Sequence, residues 1–122
     1  MAEPRAGTLA TEMLDLTSKT ANYTVTRDEV GRVFTNTSAS GAITFSLPAA
    51  ENGLQYYFVV QAAQELRIDP NGTETISLPS TGVPGSAGKY LTANAIGESV
   101  HLVAVGTNWV VMGYTGTWTA EA

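Results

Sequence analysis

The chain alternates apolar and polar residues with a period of two over most of its length after residue 22. In residues 43–47, Ile43, Phe45 and Leu47 share one side, and apolar, strand-forming residues fill 99–105 and 109–114 on either side of Gly106. Successive side chains of a strand point to opposite faces, so this pattern predicts half-buried strands. Turn signals such as Asn52-Gly53 separate them at intervals of about ten residues. We therefore predict an all-β fold, a single jelly-roll-like β-sandwich or barrel of about 8–10 short strands.

The regular apolar positions of these strands predict the hydrophobic core. The continuous apolar run at residues 56–60 is typical of a strand that is buried on both faces or that lies at the centre of a sandwich. Residues 99–105 and 109–114 are expected to form a hairpin around Gly106-Thr107-Asn108. The residues expected to be buried are Phe45, Phe58, Val60, Ile68, Leu102 and Val110.

The first part of the chain lacks this alternation. We predict an extended N-terminal arm at residues 1–21 and the β-sandwich or barrel domain at residues 22–122. The apolar residues of the arm are too few to offset its ordering entropy alone, yet too many for a purely solvated tail. We expect the arm to pack mainly on other chains. Its candidate partner-binding residues are Leu9, Met13, Leu14 and Leu16.

Length, charge and cysteine content argue against or exclude several classes of partner and chemistry for this chain. A length of 122 residues fits one domain, and the net charge of −5, with six basic residues spread along the chain, argues against nucleic acid as a partner. No apolar run approaches the roughly 20 residues of a membrane span, so no membrane partner is expected. The absence of cysteine excludes disulfides, thiolate metal sites and cysteine nucleophiles.

The residues offer no recognisable catalytic constellation. His101 is the sole histidine and alternates with apolar neighbours, which predicts a half-exposed strand residue without a partner nucleophile. Residues 69–74 contain oxygen ligands and a glycine, but Pro70 and the short length favour a turn over a calcium loop. We predict no enzyme activity, no cofactor and no metal site. Two roles are open to the aromatic residues, a sugar-stacking platform or core and interface contacts, and we prefer the second. These residues are Tyr56, Tyr57, Tyr90, Trp109, Tyr114 and Trp118.

Four stretches of the sequence carry a resemblance to known proteins. They are residues 41–60, residues 66–76, residues 99–111 and the ending Thr115-Gly116-Thr117-Trp118-Thr119. Together, over residues 23–119, the chain resembles the small β-rich structural modules of tailed bacteriophages, which are found in capsid decoration (cement) proteins and in tail or head fibres. The resemblance implies a part of the virion and, commonly, a homotrimer.

The length of about one module and the arm favour decoration, since extended arms grip a lattice with much surface per residue. We expect a trimeric capsid decoration protein that is assembled in the host cytoplasm and exposed on the virion surface. Its partners would be further copies of itself and the major capsid protein, whose assembled state it would stabilise. The alternative is a receptor- or carbohydrate-binding module of a tail or head fibre.

Overall fold

The computed structural model describes residues 14–122, which form two mixed β-sheets packed face to face. The all-β sandwich expected from the sequence is confirmed. Eleven short strands are present in this part of the chain, slightly more than expected, together with one 3₁₀ turn at Arg27–Glu29. The strands are β1 (Leu16–Ser18), β2 (Tyr23–Thr24), β3 (Val33–Thr35), β4 (Ile43–Ser46), β5 (Gln55–Val59), β6 (Leu66–Asp69), β7 (Thr75–Ile76), β8 (Leu91–Ala93), β9 (Ser99–Val105), β10 (Asn108–Thr115) and β11 (Thr119–Ala120).

The first six strands wind as a coil that alternates between the sheets. The six-stranded sheet has the order β1-β3-β5-β9-β10-β7, and the five-stranded sheet has the order β11-β8-β6-β4-β2. Strands β1, β3 and β5 are parallel, as are β2, β4 and β6. A parallel pair needs a crossover connection, and here a strand of the opposite sheet supplies it. The jelly-roll-like connectivity that we expected is therefore wrong, because jelly rolls are built from antiparallel neighbours.

The hairpin predicted near the end of the chain is confirmed and covers one side of this coil. Strands β9 and β10 are antiparallel, and Gly106 in the turn between them has φ of 65°, a conformation that favours glycine. A β-bulge lies between Val111 and Gly113. Strand β9 also pairs antiparallel with β5, so the hairpin ends the run of parallel strands on that side.

The core lies between the two sheets. Of the predicted core residues, Val110 is the exception, because Trp109 occupies the inward position and Val110 points to the outer face. Strand β5 alternates in burial, so the run at residues 56–60 is fully buried on one side only. The five predicted core residues that are buried are Phe45, Phe58, Val60, Ile68 and Leu102.

A buried asparagine joins two successive corners of the coil. Asn36 is 0% exposed, and its Oδ1 accepts hydrogen bonds from the backbone N–H groups of Gln61 (2.7 Å) and Ala62 (2.9 Å). Its Nδ2 donates to the carbonyl oxygens of Ala62 (3.2 Å) and Gln64 (3.3 Å). All four hydrogen bonds reach the loop that follows β5, so the side chain holds one turn of the coil to the next.

The sheet begins earlier than the boundary expected at residue 22. Leu16 pairs with Val33 and Ser18 with Thr35, so part of the expected arm is the edge strand of the six-stranded sheet. The short alternation in residues 14–18 permits this pairing, which depends on a strand that follows much later in the chain. Of the candidate arm residues, Leu14 and Leu16 are exposed, whereas Leu9 and Met13 lie outside the described residues.

Candidate functional site

The outer face of the six-stranded sheet carries a group of apolar side chains among polar ones, which include Ser18, Gln55, Ser99 and Asn108. Because Phe34, Phe58 and Leu102 point into the core, the residues that alternate with them point outward. Strand pairing places them side by side, in one row from Leu16 through Val33 and Tyr57 to His101, and in a second row from Gln55 through Val103 to Val110. We call this surface the apolar face, and its apolar members are Leu16, Val33, Tyr57, Val59, Val103 and Val110.

The outer face of the five-stranded sheet is polar. The core side of that sheet carries Phe45, Leu66 and Ile68, so hydroxyl and charged side chains fill the alternate positions. One row runs across four paired strands, from Thr44 through Arg67 and Thr92 to Thr119. We call this the polar face, formed by Thr24, Thr44, Ser46, Arg67, Asp69, Thr92 and Thr119. The two outer faces thus differ, because only that of the six-stranded sheet carries a group of apolar side chains within residues 14–122.

His101 lies near the middle of the apolar face as a half-buried strand residue. Its ring stacks on Tyr57 with the centroids 4.0 Å apart and the planes 11° apart. Nε2 lies 2.8 Å from Gln55 Oε1, to which the ring N–H donates. Burial holds the pKa of His101 below its usual value. No carboxylate is hydrogen-bonded to the ring in the described part of the chain, so this arrangement packs and orients the imidazole without activating it.

A cavity of about 330 Å³ lies beside the polar face. Its lining residues are Glu65, Thr92, Ala93, Asn94, Glu98, Thr117 and Thr119. The Glu98 carboxylate accepts hydrogen bonds from the backbone N–H groups of Thr117 (2.8 Å), Ala95 (2.9 Å) and Asn94 (3.2 Å), and the bond from Thr117 contributes most to lowering the pKa of Glu98. Glu98 therefore holds two loops together. The Thr92 hydroxyl donates to the Leu66 carbonyl at 3.0 Å, and the hydroxyls of Thr117 and Thr119 are among the other polar groups that line the cavity.

In the loop at residues 69–74, where the sequence favours a turn over a calcium loop, the Glu74 carboxylate is hydrogen-bonded to the backbone of another loop. The Glu74 carboxylate accepts the backbone N–H of Ala50 with both oxygens at 3.1 Å. The pKa of Asp69 is raised, chiefly by burial and then by the charge of Glu121. Within residues 14–122, no group of three or more His, Cys, Asp or Glu side chains is placed to hold a metal ion.

The aromatic residues do not gather into one platform. Trp109 and Tyr56 lie in the core with their ring centroids 5.8 Å apart, and Trp118 is buried as well. The Tyr56 hydroxyl donates to the Thr26 carbonyl at 2.9 Å, and burial raises the pKa of Tyr56 to about 12. Tyr114 is exposed, and Tyr90 lies under the Arg67 guanidinium, 5.0 Å from its ring centroid. These positions favour packing and contact roles over sugar stacking.

The apolar face was not identified from the sequence, although a signal for it was present. Residues 56–60, 100–105 and 109–111 carry apolar side chains at both parities of the alternation, which places some of them on the outer side. The longer runs were interpreted as core alone.

Two comparisons with known proteins found no match to the chain. No protein-family model matches the chain, and a search of curated proteins finds none with significant sequence similarity. No helix in residues 14–122 is both long and apolar enough to cross a membrane.

Proposed function

We propose that the protein is a trimeric capsid decoration protein of a tailed bacteriophage, which binds the major capsid protein and stabilises the assembled shell. The observation that carries the proposal is the apolar face, whose side chains residues 14–122 leave half-buried or exposed, while the opposite face is polar. The motif resemblance at residues 41–60, 66–76, 99–111 and 115–119 supports the proposal that this surface belongs to a phage particle. Leu16 of the apolar face is exposed, and the exposed Leu14, two positions before it, adds to the apolar surface available for contact.

The energetics of such a surface favour a binding role. Covering apolar surface contributes about 25 cal/mol per Å², and a ligand that binds only the assembled state stabilises that state by mass action. Many copies bound where capsid subunits meet would therefore resist shell disassembly without any chemical step. The polar face would remain in contact with water.

The direct test uses particles from a phage genome in which the gene for this protein is deleted. Purified protein is added, bound protein is measured by co-sedimentation, and its position is determined by cryo-electron microscopy. We expect density with threefold symmetry on the capsid. Val103→Arg, in the apolar face, should abolish binding, whereas the matched Thr44→Arg, on the polar face, should retain it. Density on the tail, or equal binding by the two variants, would refute the proposal.

The role of the N-terminal segment is tested separately. Since β1 belongs to the sheet, the deletion should end at residue 13 and leave Leu16–Ser18 in place. We expect the truncated protein to keep the melting temperature of the full chain and to lose most of its affinity for particles. Unchanged affinity would show that residues 1–13 have no anchoring role.

The cavity beside the polar face favours a second candidate, the receptor- or carbohydrate-binding module of a fibre. Its threonine hydroxyls, including those of Thr117 and Thr119, are groups that bind hydroxylated ligands. A glycan array followed by calorimetry tests this function. Binding that is lost in Thr119→Val, in a protein that leaves capsids undecorated, would favour the fibre module over decoration.

A further inference from the structure

The six-stranded sheet has an open edge on each side. On one side, β1 pairs with β3 and has no further strand beyond it within residues 14–122. On the other side, β7 pairs only with Asn108 and Trp109 of β10. Beyond that short pairing, residues 111–115 have no strand on their far side in the described part of the chain. Unpaired edges of this kind are templates for a further strand.

Both open edges carry exposed apolar side chains. Leu14 and Leu16 are 54% and 66% exposed at the first edge, and Met112 and Tyr114 are 63% and 45% exposed at the second. Leu14 and Leu16 lie two positions apart, which is the repeat of a strand. At the second edge, Met112 lies at the β-bulge between Val111 and Gly113, and Tyr114 is paired with Val100. Both edges therefore expose apolar side chains beside backbone that has no further strand neighbour in the described part of the chain.

Strand direction allows the two edges to meet between copies. Strands β1, β3 and β5 are parallel, β9 is antiparallel to β5, and β10 is antiparallel to β9, so β1 and β10 run the same way. At each edge the outermost ladder is already parallel, β1 with β3 and β7 with β10. A neighbouring copy rotated about an axis roughly along the strands would present its β1 parallel to β10, in the stretch that β7 leaves open.

From this geometry we infer that a second copy of the chain occupies each edge, with residues 14–18 of one copy pairing in parallel with residues 111–115 of the next. The contact is head-to-tail, so repeating it closes a ring when the rotation permits. The inference rests on the proposed function, which gives the number of copies as three, and it adds the strands through which these copies associate.

Introduced cysteines test the pairing, because the chain has no cysteine of its own. Within one chain, positions 16 and 112 lie four strand spacings apart, about 19 Å, whereas a disulfide requires Cα atoms within about 7 Å. Any disulfide between them must therefore join two copies. We expect a mixture of Leu16→Cys and Met112→Cys proteins to give a covalent dimer under mild oxidation, and the double variant to give a closed covalent trimer.

Two controls make the result decisive. Ile96, which is 64% exposed in a loop, provides the matched partner, and Leu16→Cys mixed with Ile96→Cys should give no more than background cross-linking. Leu16→Cys alone should also fail to cross-link. Efficient disulfide formation by Leu16→Cys alone would mean that like edges meet about a twofold axis, and it would overturn the inference.

Light scattering measures the same contact without cysteines. Met112→Arg and Tyr114→Arg should each reduce the trimer to a monomer, and Ile96→Arg should leave the mass unchanged; circular dichroism verifies folding. Trimers that persist in both edge variants overturn the edge pairing. These measurements use the purified protein, so edge pairing can be established even if capsids are not decorated, and it can fail while decoration stands.

Discussion

Asn36 provides the sharpest test of how the coil is held together. Its side chain makes four hydrogen bonds to the loop after β5 and is fully buried. A typical hydrogen bond contributes about 1 kcal/mol to the free energy of unfolding, so Asn36→Ala should cost about 4 kcal/mol. That loss is a large part of the roughly 5–15 kcal/mol by which domains are stable.

The assay is equilibrium unfolding in urea followed by tryptophan fluorescence, which reports on the buried Trp109. The matched control is Asn22→Ala, since the Asn22 side chain accepts one exposed hydrogen bond, from the Thr44 N–H at 2.8 Å. The control should lose about 1 kcal/mol or less. A loss in Asn36→Ala no greater than that of Asn22→Ala would refute the argument that this side chain joins two turns of the coil.

The variant Asn36→Asp refines the test through pH. A carboxylate keeps the two acceptor bonds but brings a negative charge against the carbonyl oxygens of Ala62 and Gln64, in a buried site. Burial favours the neutral acid, so the introduced group should have a folded-state pKa above its unfolded value of about 3.9. The variant should therefore be least stable at neutral pH and gain stability relative to Asn36→Ala as the pH falls. A gap between the two that is independent of pH would contradict this reasoning.

Three further predictions concern the core, the histidine and one loop. Phe58→Ala should lower the free energy of unfolding by about 3–5 kcal/mol in a urea titration, and an unchanged midpoint would place that ring at the surface. Burial lowers the pKa of His101, so the contribution of the neutral ring to the free energy of unfolding is complete above about pH 6.5 and decreases as the pH falls toward the lowered pKa. The His101→Gln variant should therefore lose less stability between pH 7.5 and pH 5.5 than the unsubstituted protein. Gly116 has φ of 82°, and a Cβ there would collide with the Glu98 side chain, so Gly116→Ala should reduce the melting temperature measurably. Gly41→Ala, where a Cβ meets open space, should leave it nearly unchanged.

Local features of the fold were predictable because their signals lie close together in the chain. The turn at Gly106 and the apolar, strand-forming residues on both sides of it predict the β9–β10 hairpin, and Phe45 and Ile68 lie on regular apolar positions. Val110 was misassigned because the adjacent Trp109 is also apolar, and alternation alone does not tell which of the two points inward. The larger ring is the one that fills the core.

The parallel coil and the apolar face required information that no local pattern carries. Leu16 pairs with Val33, and Val33 with Tyr57, in ladders that join distant segments. Asn36 lies in a polar run that reads as a surface turn, and it is buried only because the loop after β5 covers it. The two outer faces are distinguished only once the pairing has brought together residues that the chain keeps apart.

The coil also determines the order in which the chain can complete its structure during synthesis. Strand β5 gains its antiparallel neighbour β9 only after the hairpin at residues 99–115 has left the ribosome, more than forty residues later. At about 5–20 residues per second, the nascent strand edge stays open for several seconds. Ladders of large sequence separation form slowly, in milliseconds to seconds, whereas a hairpin closes within about 10 microseconds. The last strands to be translated therefore complete the sheet, and slower translation would lengthen the interval in which nascent chains on neighbouring ribosomes can pair incorrectly.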